Sequence, residues 1–587
     1  MTSLTKNKYL SKGFSVIEVI LAAAIFMLFS TASVVVILHG FNTNRLGAEE
    51  TIANQFAAEG IEAVKSIKNQ AYTNLVNSAG TGVIKVAGLE VWAFSGANNT
   101  LIHNSTDNYT RVIKVESVNR DGSGNIVATG GTNDPDTKKI TSTVNWNFNS
   151  ARPESVVLSS YLSDWRKPII IGGPTMMVYS KTTNIPYYRT WDGSNWSAEA
   201  ATQTAFYGNI NYMIVKSSRT RNEAILGVLD VNGVIYVQVW NGSSWSAPTY
   251  IATVGTTSAG YRGFDIEYEE NGDRAMVVYL PSSTSVDPAY TYWDGNTWST
   301  PITITAPPTT GIVRWIELAQ NPVSTSNEIA MIMLDADSDV YGMAWNGSSW
   351  SNMGVSAVWD ATASIATKKA IDVAYEQTSG RAMFIWGDAI STDQYYRIWN
   401  GSTLTANTLL DIPSAGGVVH WMKLVSRTNS NELMYGEVDA GADLNTRKWS
   451  GSSWDTVTQH PEHDASTENI LSMNFDLIWE THSANPGKAW LMWGAGAKVS
   501  KKQWSGTAWG AGSVLTGSDD TSFVRLNADP SSGAIFAGIY ESATSATDDI
   551  WESHLTSGGS TWSAKNTIWG GPVSAEPVYF RVDIATP

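Results

Sequence analysis

The hexapeptide WNGSSW spans Trp240–Trp245 and returns unchanged at Trp345–Trp350. Asn-Gly between two apolar segments is a strong hairpin signal, because both residues tolerate positive φ and can close a tight turn. The flanks fit that reading: VIYVQVW (234–240) runs into the turn and SAPTYIA (246–252) leaves it. The hexapeptide is therefore expected between two antiparallel strands.

Related turns recur along the chain. They are WDGSNW from Trp191, WDGNTW from Trp293, WNGSTL from Trp399, WSGSSW from Trp449, WSGTAW from Trp504 and a stretched WESHLTSGGSTW from Trp551. Their first tryptophans lie 47 to 55 residues apart. Within one period, YMIVKSS, EAILGVLD, VIYVQVW and SAPTYIA read as four strands, with the turn between the third and the fourth. A period near 50 residues built of short strands is that of a β-propeller blade.

A second periodicity lies over the first. The blades ending at Trp293, Trp399 and Trp504 carry FDIEYEENGDRAMVVY, IDVAYEQTSGRAMFIW and FDLIWETHSANPGKAWLMW. Those ending at Trp240, Trp345 and Trp449 carry NEAILGVLD, NEIAMIMLD and NELMYGEVD. The true repeat is a pair of blades, and four pairs give eight, with seven as the alternative count. The first blade starts at TMMVYS without a first strand, and Val582-Asp583-Ile584 near the C-terminus aligns with Phe264-Asp265-Ile266. The terminal strand is expected to complete the first blade and leave no open sheet edge.

The N-terminus has another character. Lys6, Lys8 and Lys12 precede an apolar run from Phe14 to Leu38 whose one charge is Glu18. Such a run is long enough to span a bilayer as a helix, and the basic flank keeps the short tail cytoplasmic. A carboxylate in an apolar helix points to function. Here it stands fifth if Phe14 becomes the N-terminus, placed to meet a freed amine on a neighbouring subunit. Gly13, Phe14 and Glu18 resemble the class III leader of type IV pilins and pseudopilins. The resemblance implies cleavage after Gly13 by a prepilin peptidase, N-methylation of Phe14, and assembly with other pilin subunits through the N-terminal helix. After the apolar run, Ile52, Phe56, Ile61, Val64 and Ile67 keep helical spacing. GVIKVAG, YTRVIKVESV, KKITSTVNWNF and ESVVLSSYLSDW then alternate as strands of a small antiparallel sheet.

The expected organisation is a leader (1–13), a transmembrane and amphipathic pilin helix (14–75), a pilin-like β head (76–166) and an all-β propeller (168–587). The fold class is thus an α+β pilin-like domain followed by the propeller.

Composition limits the chemistry. A net charge of −16 disfavours nucleic acid as a partner. The absence of Cys removes disulfides and thiolate metal sites, and seven His without a paired spacing make a zinc centre improbable. WDGNTW has a passing likeness to the Asp-box turns of sialidases but lacks the residue those turns place between Asp and Gly. No nucleophile elbow appears, and no enzyme is expected. Asp265, Asp372, Asp476 and Asp583 fall on the first strand of every second blade, as a ring that either accepts backbone hydrogen bonds from the next blade or holds a cation; the first reading is favoured. DADSD offers Asp335, Asp337 and Asp339 at the alternating spacing of a calcium loop, against a reading as a solvated hairpin tip. No other cofactor is expected.

Fifteen of the 26 tryptophans lie in the eight turns, so the aromatics carry the case for binding. The tandem blades are similar to those of fucose-binding propeller lectins, whose sites lie between blades, although that family's paired Arg and Glu are not found. The resemblance makes Trp191, Trp240, Trp293, Trp345, Trp399, Trp449 and Trp504 the candidate ligand-binding residues. The alternative is that each tryptophan pair packs across its hairpin and against the next blade. Any special site is expected where copies differ, at Leu404 or the loop after Trp551. The sequence thus leads to a pilin or pseudopilin that is a low-copy or tip subunit. It passes from the bacterial cytoplasmic membrane to the cell surface and displays a propeller that binds a glycan or surface protein. A surface-displayed glycan-processing enzyme and a non-binding cap or spacer of a secretion pseudopilus are the alternatives.

Overall fold

The computed structural model describes residues 15–586 without 71, 87–90, 104–106, 122–124, 165–174, 182–183, 194, 203–207, 255–261, 308, 310, 365–366, 392, 411, 413–416, 468–472, 483–484, 497, 519–520, 542–548, 557 and 571–581. The chain divides into two compact units, Met1–Lys167 and Pro168–Pro587.

The first unit is one helix, Val16–Gln70, and a seven-stranded antiparallel sheet. The sheet is dominated by three long strands in consecutive order, Asp107–Arg120, Thr132–Asn149 and Arg152–Ser163. The helix has two halves with opposite surroundings. Ala53, Ala57, Gly60, Ile61, Val64 and Ile67 are buried. Ile61, Val64 and Ile67 share a core with Val83, Ile113, Val115 and Ile140 of the sheet. Gly60 permits close approach, because a Cβ there would come within 2.6 Å of Ser142 Oγ. Glu49 is buried but paired: Arg45 Nε donates to it at 2.7 Å and Trp146 Nε1 at 3.0 Å. By contrast, no residue of the apolar stretch 16–41 is buried, and Val16, Phe26 and Phe29 are more than 70% exposed. Three short strands, Trp92–Ser95, Asn99–His103 and Ile126–Val127, were not expected from the sequence. Each is too short for alternation to register.

The second unit is an eight-bladed propeller. Seven blades have four antiparallel strands and the sixth has three. The innermost strands, from blade 1 to blade 8, are Val582–Ala585, Ile210–Ser217, Phe264–Tyr268, Val313–Gln320, Ile371–Tyr375, Val419–Ser426, Phe475–Trp479 and Thr521–Ala528. The C-terminal strand completes blade 1, pairing Val582 with Tyr179, Asp583 with Val178 and Ile584 with Met177. Blade 3 repeats that register with Phe264 on Tyr279, Asp265 on Val278 and Ile266 on Val277.

The two-blade repeat is a structural one. The innermost strands of blades 2, 4, 6 and 8 all break register at their start, between Ile210 and Tyr212, Val313 and Trp315, Val419 and Trp421, and Thr521 and Phe523. Those of blades 1, 3, 5 and 7 pair without a break. A bulge re-aims the residue that follows it. Here that residue is always aromatic. Trp315 meets Tyr212 edge to face at 6.2 Å and Trp421 at 6.0 Å. Blades 2, 4 and 6 are not neighbours, so these contacts lie over the propeller axis and close the central channel with an aromatic plug.

Candidate functional site

The repeated hexapeptide joins the third and fourth strands, as expected, but its turn works differently. Only glycine has positive φ: +94° at Gly242 and Gly347 and +96° at Gly295. The Asn keeps negative φ and caps the turn with its side chain, Asn241 Oδ1 accepting the N–H of Ser243 at 3.0 Å and of Ser244 at 2.9 Å. The four-residue loop has room for this side-chain acceptor. Asp294, Asn346 and Asn400 do the same, which explains why Asp and Asn interchange in the motif.

The tryptophan pairs face each other across these turns, with ring centroids 5.7 Å apart for Trp240 and Trp245 and 5.9 Å for Trp345 and Trp350. Trp240, Trp345, Trp399, Trp449 and Trp504 are buried, and Trp191 and Trp293 half-buried. Four of the indoles reach the preceding blade. Trp293 Nε1 donates to Glu223 at 2.9 Å, Trp345 to Glu269 at 2.7 Å, Trp399 to Glu328 at 3.0 Å and Trp449 to Glu376 at 2.7 Å. Glu269 and Glu376 each also take a forked arginine. Arg274 bonds Glu269 at 2.6 and 2.5 Å, and Arg381 bonds Glu376 at 2.7 Å through both nitrogens. Arg274 then bonds the carbonyl of Gly347 in the next blade at 2.7 Å. Arg–Glu pairs are therefore present at the blade interfaces, where the sequence reading found none. Their signal was the repeated spacing in YEENGDR and YEQTSGR, where Glu and Arg stand five apart across a turn. Glu269 accepts three hydrogen bonds and Glu376 four, the fourth from Ser379, so the unit bolts one blade to the next.

The eighth turn corrects the alignment. Leu555, not Trp551, bridges Trp562, and Trp551 lies inside the strand Asp549–Leu555. Leucine has no donor for the preceding blade, and Glu480 instead accepts Trp490 Nε1 at 2.9 Å and Gln503 Nε2 at 2.6 Å. At Leu404 the bridge to Trp399 is kept without the second indole.

The inner aspartates accept from the next blade. Oδ2 of Asp265, Asp372 and Asp476 takes the N–H of Leu318, Leu424 and Leu526 at 2.8 Å, and that of Asp583 takes Val215 N–H at 2.9 Å. Basic side chains share the ring: Arg262 bonds Glu317 at 2.7 Å, Lys369 approaches Asp372 at 3.2 Å and Arg525 bonds Asp583 at 2.8 Å. Arg262 and Lys369 each stand three residues before a ring aspartate, whereas Arg525 reaches Asp583 from the innermost strand of the neighbouring blade.

Asp335 is fully buried, and its Oδ1 accepts the N–H of Asp337 at 2.9 Å and of Asp339 at 3.0 Å. Asp337 itself is exposed, and Asp339 Oδ2 accepts from Thr309 at 3.0 Å. Asp230 and Asp439 cap their own turns in the same way. Burial pushes the Asp335 carboxyl above its usual range. Among the described residues, no three His, Asp or Glu side chains gather to hold a metal ion.

Gly13 and Phe14 lie outside the described residues. Glu18 caps its own helix: Ser15 N–H donates to Glu18 Oε2 at 2.9 Å, and Glu18 N–H to Ser15 Oγ at 3.4 Å. This is a capping box, and its S-x-x-E spacing was legible in FSVIE.

Inside the propeller, the channel above the plug is a concave space. It has two connected cavities of about 340 and 250 Å³ that share Lys216, Glu267, Gln320, Lys423, Ser426 and Arg525. Such volumes suit a small ligand.

No protein-family model matches this sequence, and no curated protein matches it. Solved structures do. BP39L lectin from Burkholderia pseudomallei is 12% identical with a TM-score of 0.45, covering 61% of this chain and all of its own. The fucose-specific lectin from Aleuria aurantia is 11% identical with a TM-score of 0.30, over 58% of this chain and 94% of its own. SapL1 lectin, solved with alpha methyl fucoside, is 13% identical with a TM-score of 0.30, over 54% and 99%.

Proposed function

We propose that this protein is a minor type IV pilin or pseudopilin subunit that displays its propeller outside the cell for adhesion or ligand capture. The observation that carries this reading is the divided helix. Its second half is buried on its own sheet, whereas residues 16–41 have apolar side chains on every side and no protein cover. A helix apolar all round demands a bilayer or a bundle of like helices. Gly13, Phe14 and Glu18 supply the leader pattern that routes such a helix from membrane to fibre. The propeller is the binding part, with a glycan as the ligand class in keeping with its aromatic content; its inner aspartates are engaged by backbone donors, in keeping with a binder and not a hydrolase.

Mass spectrometry of the mature protein tests the anchoring half. The expected N-terminus is N-methylated Phe14; an intact Met1, or cleavage after the apolar run, overturns it. Deleting the prepilin peptidase of the host should leave the unprocessed chain in the membrane.

A further inference from the structure

Among the described residues, the charged side chains that line the channel each have an oppositely charged partner within 4.0 Å, with a single exception. The larger cavity is lined by four basic residues, Lys216, Arg219, Lys423 and Arg525, against two acidic ones, Glu267 and Asp583. A positive surplus in a chain of net charge −16 marks the place as different from the rest of the molecule. Lys216 pairs with Glu267 at 2.7 Å, Arg219 with Glu270 at 2.8 Å and Arg525 with Asp583 at 2.8 Å. Lys423 has no ion pair or hydrogen bond among the described residues.

Its neighbours explain the isolation. Lys423 stands two residues after Trp421, the place that Glu317 holds after Trp315 and Arg525 after Phe523. Asp372 on one side serves Lys369 and the N–H groups of Val373 and Leu424. Asp476 on the other serves the N–H groups of Leu477 and Leu526. Burial pushes the Lys423 ammonium below the usual lysine range. Behind the wall, Gln320 Nε2 and Ser217 Oγ are buried donors without a partner among the described residues. A desolvated charge without a partner destabilises a fold, and a bound counter-ion offsets that cost.

We propose that the channel is an anion-binding site in which the Lys423 ammonium pairs with the carboxylate of a small acidic sugar. One unpaired ammonium matches a monoanion. Thr428, exposed on the same wall, is a neutral group of the kind that binds sugar hydroxyls. The cavity of about 340 Å³ is far larger than a bare carboxylate, and the aromatic plug closes its floor, so the ligand enters and leaves by one mouth. This names the ligand class for the display role above and rests on that reading for its setting. Processing of the N-terminus and binding in the channel are measured separately, so either can fail alone.

The test is calorimetric titration of the full-length protein in detergent micelles with glucuronate, with glucose as the neutral counterpart and sulfate as the inorganic anion. Saturable binding of one glucuronate is expected, with glucose weaker by about tenfold or more. Lys423→Met should lose about tenfold in affinity and Lys423→Arg should retain most of it. Should Lys423→Met fail to fold, Thr428→Val serves, with an expected loss of about threefold. Absence of saturable glucuronate binding, or equal binding by the folded variants, overturns the proposal. Tighter binding of sulfate than of glucuronate overturns the ligand class.

Discussion

Asp372 shows how one side chain ties two blades. Its Oδ1 accepts the N–H of Val373 in its own strand at 2.9 Å, and its Oδ2 that of Leu424 in the next at 2.8 Å. Both groups are buried, so removing the acceptor leaves two N–H groups without their partner and takes from the Lys369 ammonium the nearer of its two carboxylates, leaving it Glu317 at 3.6 Å and the carbonyl of Met422 at 3.2 Å. Asp372→Ala should cost about 3–5 kcal/mol and Asp372→Asn, which keeps one acceptor, about half of that. Thermal unfolding of the two variants measures both. A second residue-scale effect sits in blade 6. His463 is buried, its Nε2 2.8 Å from Thr446 Oγ1, with Lys502 at 3.3 Å from Nδ1 and the ring of His460 hydrogen-bonded to the same threonine. Burial, then Lys502, then His460 depress its pKa from 6.5 to about 2. The folded state thus holds His463 neutral, whereas the unfolded chain protonates it near 6.5. Its contribution is complete above that pH and is lost progressively as pH falls toward 2, at about 1.4 kcal/mol per pH unit. His463→Gln should flatten the fall in melting temperature between pH 6 and pH 4; an unchanged slope would assign the acid sensitivity elsewhere.

At the scale of the element, the W-[DN]-G-x-x-W turn was legible because its glycine and its cap are local requirements. Gly347 at φ +94° tolerates no side chain without strain, and Asn346 closes the loop through its own oxygen. The blade-pair repeat was legible too, since FDIEY and IDVAY recur at fixed places. What stayed hidden was the bulge at the start of every second innermost strand. It follows from which neighbour each strand meets at the axis, and no residue within the strand announces it. The same holds for Arg274 and Glu269, whose spacing was visible but whose shared partner, Trp345, lies 76 residues from Glu269. Removing the donor from this bolt tests its weight. Trp345→Phe keeps the ring and deletes one N–H to a buried carboxylate, so it should cost about 1–3 kcal/mol. The second indole reaches the preceding blade at Trp509, which bonds Thr446 at 3.0 Å, whereas those of Trp196, Trp245, Trp350 and Trp454 have no hydrogen-bond partner among the described residues. Leu404→Trp, which supplies the one that blade 5 lacks, should therefore leave stability within about 0.5 kcal/mol. Chemical denaturation of both variants would separate the first indole, which joins blades, from the second, which covers a turn.

For the whole molecule the decisive element is the last one. Val582–Ala585 is the innermost strand of blade 1, and Asp583 within it carries the contacts of both neighbouring blades: the N–H of Val215 at 2.9 Å on one side and Arg525 Nε at 2.8 Å on the other. Asn527 Nδ2 adds a bond to the carbonyl of Ile584 at 2.5 Å. Without the strand, blade 1 exposes the inner edge of Met176–Ser180, all five of whose residues are buried in the closed ring. An open, apolar edge at the axis is a template for pairing with another chain. The ring therefore cannot hold its central layer until Val582–Ala585 is in place, and closure joins the start of the propeller to its end. A chain ending at residue 581 should lose cooperative unfolding of the propeller and aggregate, while the helix and sheet of the first unit, whose core lies wholly before residue 168, keep their own transition. Asp583→Ala in the full chain should retain a closed ring but melt earlier, at a cost of about 3–5 kcal/mol. Scanning calorimetry resolves the two cases. If the truncated chain melts like the full one, closure by the C-terminal strand is not what holds the ring.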